Sequence, residues 1–452
     1  MPDTWQLNLH VSDLVKQKMR SLEEMIDRFY FDEGGLLRCM FHLDPERGEV
    51  RTFRPEDHAG QSLPKLPSDA ATPDGYHYYE NCGYSSGLLL ASQCLRHQAT
   101  GEEAALALAA KAFRSIDVIF RMTESEGHRG YLCKPYDRKV THETSPDQYV
   151  NVARGLWAYR PLADPATRTR IDELLPAMAD WWRERDYTLT YFGWEFRTLD
   201  YGSHRSIMPY MNHLAYLVTK DPKYLDETRR LLTLCGTWPT AIDEARQRML
   251  DGGGTDWPEM AHGREYDSAR LPYLMLDPGW RCATLSLPAI DHFMTAPDFP
   301  LSALLPSALG RFYRCANMGL RDDLLYLFWI QIDLERDAWH PVRAAPTAES
   351  LSKALYAFEA YYSEVCVGNG GGAAAILAVV AHQQARAFCP GALTLARELF
   401  RRLDTARLAW FIDPDGRQLL PELRYMRETI EDAPFNMLLA YWYARAHGIA
   451  LE

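Results

Sequence analysis

The chain has 452 residues and a net charge of −12; 47 % of the residues are hydrophobic and 24 % are charged. That is a globular balance, and the acidic excess argues against nucleic acid as a partner, because nucleic acid selects basic surfaces. The longest apolar stretch, Ala373 to Ala381, is far too short to span a bilayer, so no membrane partner is expected.

The N-terminus, MPDTWQLNLHVSDLV, has no basic region followed by an apolar run. No signal peptide is therefore expected, and the expected compartment is the cytoplasm. The nine cysteines are scattered from Cys39 to Cys389 without a C-x-x-C pair, which suits reduced, buried thiols better than a disulfide frame or a zinc site. Val11 to Phe31 reads as a long amphipathic helix with nothing before it, and a short strand pair is expected around Asp44-Pro45-Glu46-Arg47-Gly48.

From there the chain repeats a unit: a long polar, Gly- and aromatic-rich loop, an apolar helix, a tight turn and a more amphipathic helix. The first helices start near Glu80, Pro146, His204, Cys282, Gly371 and Pro434. The second helices start near Glu102, Pro165, Pro222, Leu301 and Gly391. The turns between them, such as Thr100-Gly101-Glu102-Glu103, Ala163-Asp164-Pro165-Ala166 and Lys220-Asp221-Pro222-Lys223, place a helix breaker beside a residue that opens the next helix. Six first helices and five second ones leave one partner missing, and Val11 to Phe31 supplies it by packing beside the C-terminal helix Pro434 to Ala446. The fold expected is all-α: one (α/α)6 toroid of helical hairpins over residues 1–452, decorated by β-hairpins at Asp44–Gly48 and around Asp413-Pro414-Asp415-Gly416.

All first helices of such a ring run the same way, so the loops before them gather at one end. Glu80-Asn81, Ser145 to Tyr149, Ser203 to Arg205, Gly279 to Arg281, Gly368 to Gly372 and Glu431-Asp432 then become candidates to line one cavity. Helix N-termini converging there favour an anionic group on the ligand.

The stretches from Tyr78 to Ala112 (YYENCGYSSGLLLASQCLRHQATGEEAALALAAKA) and from Gly127 to Tyr159 (GHRGYLCKPYDRKVTHETSPDQYVNVARGLWAY) resemble the six-hairpin glycosidases. The nearest similarity is to the unsaturated glucuronyl and rhamnogalacturonyl hydrolases and their uronic-acid-active relatives. The resemblance implies a catalytic carboxylate at the junction occupied here by Asp147. It implies a second acid one hairpin earlier, at Glu80, where those hydrolases usually carry Asp. Two carboxyl groups across a sugar supply the proton and the activated water that cleaving a glycosidic bond requires.

Around that pair, Asn81, Arg129, Gln148, Tyr149, His204, Arg205, Trp257, Glu259 and Trp280 are the candidates for binding the substrate, a small oligosaccharide. Arg129, His204 and Arg205 would hold a carboxylate and the tryptophans would stack on a ring. His142 in the same loop is the third candidate for proton chemistry. Ser145-Pro146-Asp147-Gln148 also reads as a plain helix start, with Ser145 as N-cap and Gln148 reaching back to it. The run Gly368 to Gly372 lacks the Lys-Ser/Thr of a phosphate loop, so close helix packing or a sugar-facing turn is expected there.

No metal-protease, nucleophile-elbow or dinucleotide signature is present; neither a metal nor another cofactor is expected, and a homodimer is compatible with the sequence. A uronate lyase built on Tyr149 or His142 with Asn81 and Arg129, an epimerase of the N-acylglucosamine type built on paired histidines, and a non-catalytic sugar-binding ring are the competing readings.

Overall fold

The computed structural model describes residues 4–9, 14–58, 72–191, 193–200, 207–235, 273–276, 285–296, 305–318, 330–333, 338–341, 368–409 and 428–452. Thirteen α-helices carry the architecture of these residues. They are α1 (Val15–Met25), α2 (Pro73–Tyr79), α3 (Cys82–Thr100), α4 (Glu103–Ser125), α5 (Pro146–Tyr159), α6 (Pro165–Arg183), α7 (Ile207–Thr219), α8 (Pro222–Cys235), α9 (Leu287–Met294), α10 (Leu305–Met318), α11 (Gly368–Ala385), α12 (Ala392–Arg402) and α13 (Ala433–Ala446).

Six of them close a ring. α3 packs on α5, α5 on α7, α7 on α9, α9 on α11, α11 on α13, and α13 back on α3. Each has an outer partner that follows it in the chain: α4 for α3, α6 for α5, α8 for α7, α10 for α9 and α12 for α11. The sixth outer helix is α1, from the other end of the chain, which packs on α13. Burial follows the same division. α13 is buried along nearly all its length, whereas α12 and α4 bury one stripe and expose the other, as expected for inner and outer walls. The joint between the two chain ends is polar as well as apolar: Glu23 Oε1 of α1 accepts from Trp442 Nε1 at 2.7 Å and from Gln93 Nε2 at 2.9 Å, and Tyr30 meets Phe435 edge-on.

The hairpin turns work as their residues dictate. Gly101 takes the left-handed conformation (φ 69°) and donates its N–H to His97 O, ending α3. Asp164 caps α6 through the N–H groups of Ala166 and Thr167 at 3.0 and 3.1 Å. Two glycines let the first two inner helices approach: a Cβ on Gly87 would lie 2.3 Å from the Asn151 carbonyl, and one on Gly155 would lie 2.6 Å from Gly87 O. The run Gly368 to Gly372 is helical from its first residue and opens α11, so the helix starts three residues before the expected Gly371. A Cβ on Gly372 would stand 2.9 Å from the Asn436 Cβ, which makes this run a helix-packing feature.

A small antiparallel sheet decorates the ring. β1 (Thr4–Gln6), β3 (Glu49–Arg51), β2 (Phe41–Asp44) and β9 (Thr429–Ile430) lie side by side in that order. The β2–β3 turn is the strand pair expected at Asp44–Gly48, with Asp44 opposite Glu49. β2 also pairs with β9, Phe41 opposite Ile430, and this fixes where Glu431 and Asp432 enter the ring. A second hairpin, β4 (Thr188–Tyr191) with β5 (Trp194–Arg197), follows α6, and β6 (Tyr273–Leu276), β7 (Ile330–Asp333) and β8 (Ala338–Pro341) form a third sheet. The hairpin expected around Asp413 to Gly416 lies outside the described residues. Cys39, Cys82, Cys94, Cys133 and Cys389 are free and buried. Among the described residues no helix is long and apolar enough to cross a membrane.

Candidate functional site

The N-terminal ends of α3, α5 and α13 meet at one end of the ring, and four acidic side chains come with them. Asp147 stands in the first turn of α5 and is 6 % exposed. Glu80 closes α2 immediately before α3 and is 5 % exposed. Glu431 and Asp432 arrive from β9 at the start of α13 and are buried.

Two side-chain amides tie these acids into one network. Gln148 Nε2 donates to Asp147 Oδ2 at 3.3 Å and to Asn81 Oδ1 at 2.9 Å. Asn81 Nδ2 in turn donates to Glu431 Oε1 at 2.8 Å and Asp432 Oδ2 at 3.2 Å. The Gln148 carbonyl takes the Tyr84 N–H at 2.8 Å, which fixes the amide's orientation. Ser85 Oγ donates to Asp432 Oδ1 at 3.2 Å, and Asn436 Nδ2 reaches the Tyr84 hydroxyl at 3.1 Å. Gln148 therefore does not reach back to Ser145 as a capping box would: its side chain serves the neighbouring helix, and Ser145 Oγ makes no cap bond.

Glu80 has different company. Its carboxylate receives Lys134 Nζ, the Tyr136 hydroxyl and, at 3.0 Å, the Tyr191 hydroxyl. Lys134 is itself buried, 2 % exposed, and lies over the Tyr191 ring at 5.0 Å. The Glu80 carboxylate thus meets one cation and two hydroxyl donors. At Asp432, burial first, then the neighbouring Glu431 and Asp147 carboxylates, push the carboxyl well above the usual range. The site thus sets a carboxylate paired with a buried ammonium beside a carboxyl pushed toward its protonated form.

The remaining candidates divide. Tyr149 is fully buried in the wall between α5 and α6: its hydroxyl accepts from Leu132 N at 2.8 Å and donates to Gly130 O at 3.2 Å, and its ring stacks on Trp181. Burial pushes its phenol well above the ordinary range. It is a wall residue and does not join the acidic network. Its ring neighbours on α6, Trp181 and Trp182, which the sequence does not place near it, account for the difference. His142 is exposed on its loop. Arg129 is exposed at the foot of α4, beside a shallow depression of about 410 Å³ lined by Glu124, Gly127, Arg170 and Glu173 of the outer helices. His204, Arg205, Trp257, Glu259 and Trp280 lie outside the described residues. The sequence places Glu431 and Asp432 at a junction without giving them a role, and it puts Lys134 and Tyr136 in the polar loop before α5, a candidate binding loop, without pointing to Glu80 as their partner. It had no signal for Tyr191, which only the β4–β5 hairpin brings to Glu80.

Among the described residues no group of three or more His, Cys, Asp or Glu is arranged to hold a metal ion. No protein-family model matches the chain, and no curated protein matches it.

Proposed function

We propose that the chain is a glycoside hydrolase acting on uronic-acid-containing oligosaccharides, with Asp147 as the proton-transferring carboxyl. The observation that carries this reading is the meeting of Asp147, Glu80 and the Glu431–Asp432 pair from three separate loop-to-helix junctions at one end of the ring. Burying four acids together is unfavourable for folding, and such clusters concentrate where proton chemistry is done. Asp147 suits the donor role because Gln148 holds only one of its oxygens. Glu80, neutralised by Lys134, suits an electrostatic and orienting role. The resemblance of the Tyr78–Ala112 and Gly127–Tyr159 stretches to six-hairpin glycosidases supports the same assignment.

The lyase reading has less support. Its candidate base Tyr149 is locked to Leu132 and Gly130, and its candidate neutraliser Arg129 lies on the outer wall. The epimerase reading asks for two histidines on opposite sides of a sugar carbon. The pair on inner helices, His213 and His292, is hydrogen-bonded to itself, Nδ1 to Nε2 at 2.7 Å.

The test is ultraviolet absorbance with an oligosaccharide ending in a 4,5-unsaturated uronate. Hydrolysis consumes the conjugated double bond, so absorbance falls. Asp147→Asn removes the transferable proton and is expected to lower turnover by about 100-fold or more. Folding stability should stay within about 1 kcal/mol of the parent, since Asp147 makes no helix-cap bond that Asn would lose. Rising absorbance with a saturated uronate polymer, retained by Asp147→Asn, would replace this reading with the lyase.

A further inference from the structure

The inner face of α5 carries a second polar residue. Arg154 follows Asp147 by seven residues, two helical turns, so the two stand on one face about 10 Å apart along the axis. Arg154 points across the ring: its guanidinium lies 4.0 Å from Asp291 Oδ2 on α9, and its charge acts on Tyr210 of α7 and Tyr443 of α13.

What sets this residue apart is how little holds it. Its side chain is only 12 % exposed, yet among the described residues it makes no hydrogen bond, although a guanidinium presents five N–H donors. Asp291 is engaged elsewhere through its other oxygen, which accepts from the Tyr443 hydroxyl at 2.9 Å and Gln384 Nε2 at 3.0 Å. Tyr210, 2 % exposed, also has no hydrogen-bond partner for its hydroxyl among the described residues. Beside Tyr210, burial and the His213 neighbour push His292 down to about 3, so its imidazole adds no second cation to this tier.

We propose that Arg154 and Tyr210 form an anion subsite two turns below Asp147, so that the ligand is an oligosaccharide whose acidic group lies beyond the sugar at Asp147. The inference deepens the hydrolase reading by placing the charge recognised at a distance from the bond attacked. A planar carboxylate would take the open edge of the Arg154 fork and the Tyr210 O–H together. Asp291, fixed by Tyr443 and Gln384, holds the guanidinium from behind.

The experiment is calorimetric binding of digalacturonate, its fully methyl-esterified form and inorganic sulfate to the intact chain carrying Asp147→Asn, which slows turnover. The acid disaccharide is expected to bind at least about 10-fold tighter than the neutral ester. Adding Arg154→Met should abolish that preference, and Tyr210→Phe should reduce it. Without ligand, Arg154→Met should melt at the same temperature or higher, because it removes a largely enclosed cation that makes no hydrogen bond among the described residues. Three results would overturn the proposal: a preference that survives Arg154→Met, no preference to begin with, or sulfate binding as tightly as the disaccharide. A lowered melting temperature in Arg154→Met that Asp291→Asn restores would also overturn it, by making the pair a structural tie. If the preference depends on Arg154 while no uronide is cleaved by the parent, the subsite stands and the hydrolase reading falls.

Discussion

At the mouth of the ring the carboxylates of Glu80, Asp147, Glu431 and Asp432 are each met by a side-chain donor, from Lys134, Gln148 or Asn81. Two turns lower, Arg154 is largely enclosed and Tyr210 is buried, but neither makes a hydrogen bond to a described residue. The contrast separates two ways in which a buried polar group can serve a protein. A fully bonded network holds its members in place before anything arrives, which is what proton transfer demands. Donors left unpartnered gain their bonds only when a ligand supplies the acceptors, which is what selective binding demands.

The largest effect is expected at Glu80. Glu80→Ala leaves the Lys134 ammonium buried, with the Tyr191 hydroxyl at 3.4 Å as its remaining hydrogen-bond partner among the described residues. Removing one partner of a buried pair costs about 3–5 kcal/mol, and urea unfolding should show it. Lys134→Met in the same chain should recover much of that loss. If Glu80→Ala costs no more than Arg154→Met, the two tiers do not differ in the way described.

A smaller effect is expected at Gly87, which touches neither tier. Gly87→Ala drives a methyl into the Asn151 carbonyl and must push α5 off α3. Overpacking of this kind costs about 1–3 kcal/mol. Because Gln148 and Asn81 bridge those two helices, the mouth network should loosen as well. Faster amide exchange at Tyr84, whose N–H is bonded to Gln148, is the measurement. Unchanged exchange at Tyr84 would mean that the network holds its geometry independently of the helix contact.

How much of this was legible from the amino acids follows from what kind of signal each feature leaves. The hairpin grammar is local, written in Gly101, Asp164 and the prolines that start helices, so the ring and its closure by the N-terminal helix could be read directly. The same-end rule then brings Asp147, Glu80, Asn81 and Gln148 together, because helix direction alone decides it. Tyr149 shows where that rule stops. It is next to Gln148 in the chain, but a helix turns about 100° per residue, so neighbours at one junction face different ways, and Tyr149 faces Trp181. Arg154 escaped notice for the opposite reason. It is far from any loop, and its relation to Asp147 appears only when the helix face is followed two turns inward.

The smallest effect is expected at Asp432, and it tests how much negative charge the mouth carries. Burial and the Glu431 and Asp147 carboxylates raise its folded-state pKa above the ordinary 3.8. In the unfolded chain Asp432 ionises near that ordinary value, whereas in the folded chain it keeps its proton to higher pH. Its contribution to stability is therefore fully present below the unfolded value and is lost as pH rises through the folded one. Asp432→Asn is neutral at every pH and removes that dependence. The amide oxygen can still accept from Ser85, while the amide nitrogen would face Asn81 Nδ2, a fixed cost that does not vary with pH. The variant should thus gain on the parent as pH rises from about 4 to 7 in urea-unfolding midpoints, even if it starts below it. Parallel curves would mean that Asp432 is ionised in the folded protein, that the mouth holds its full negative charge, and that Asp147 has no protonated neighbour to exchange with.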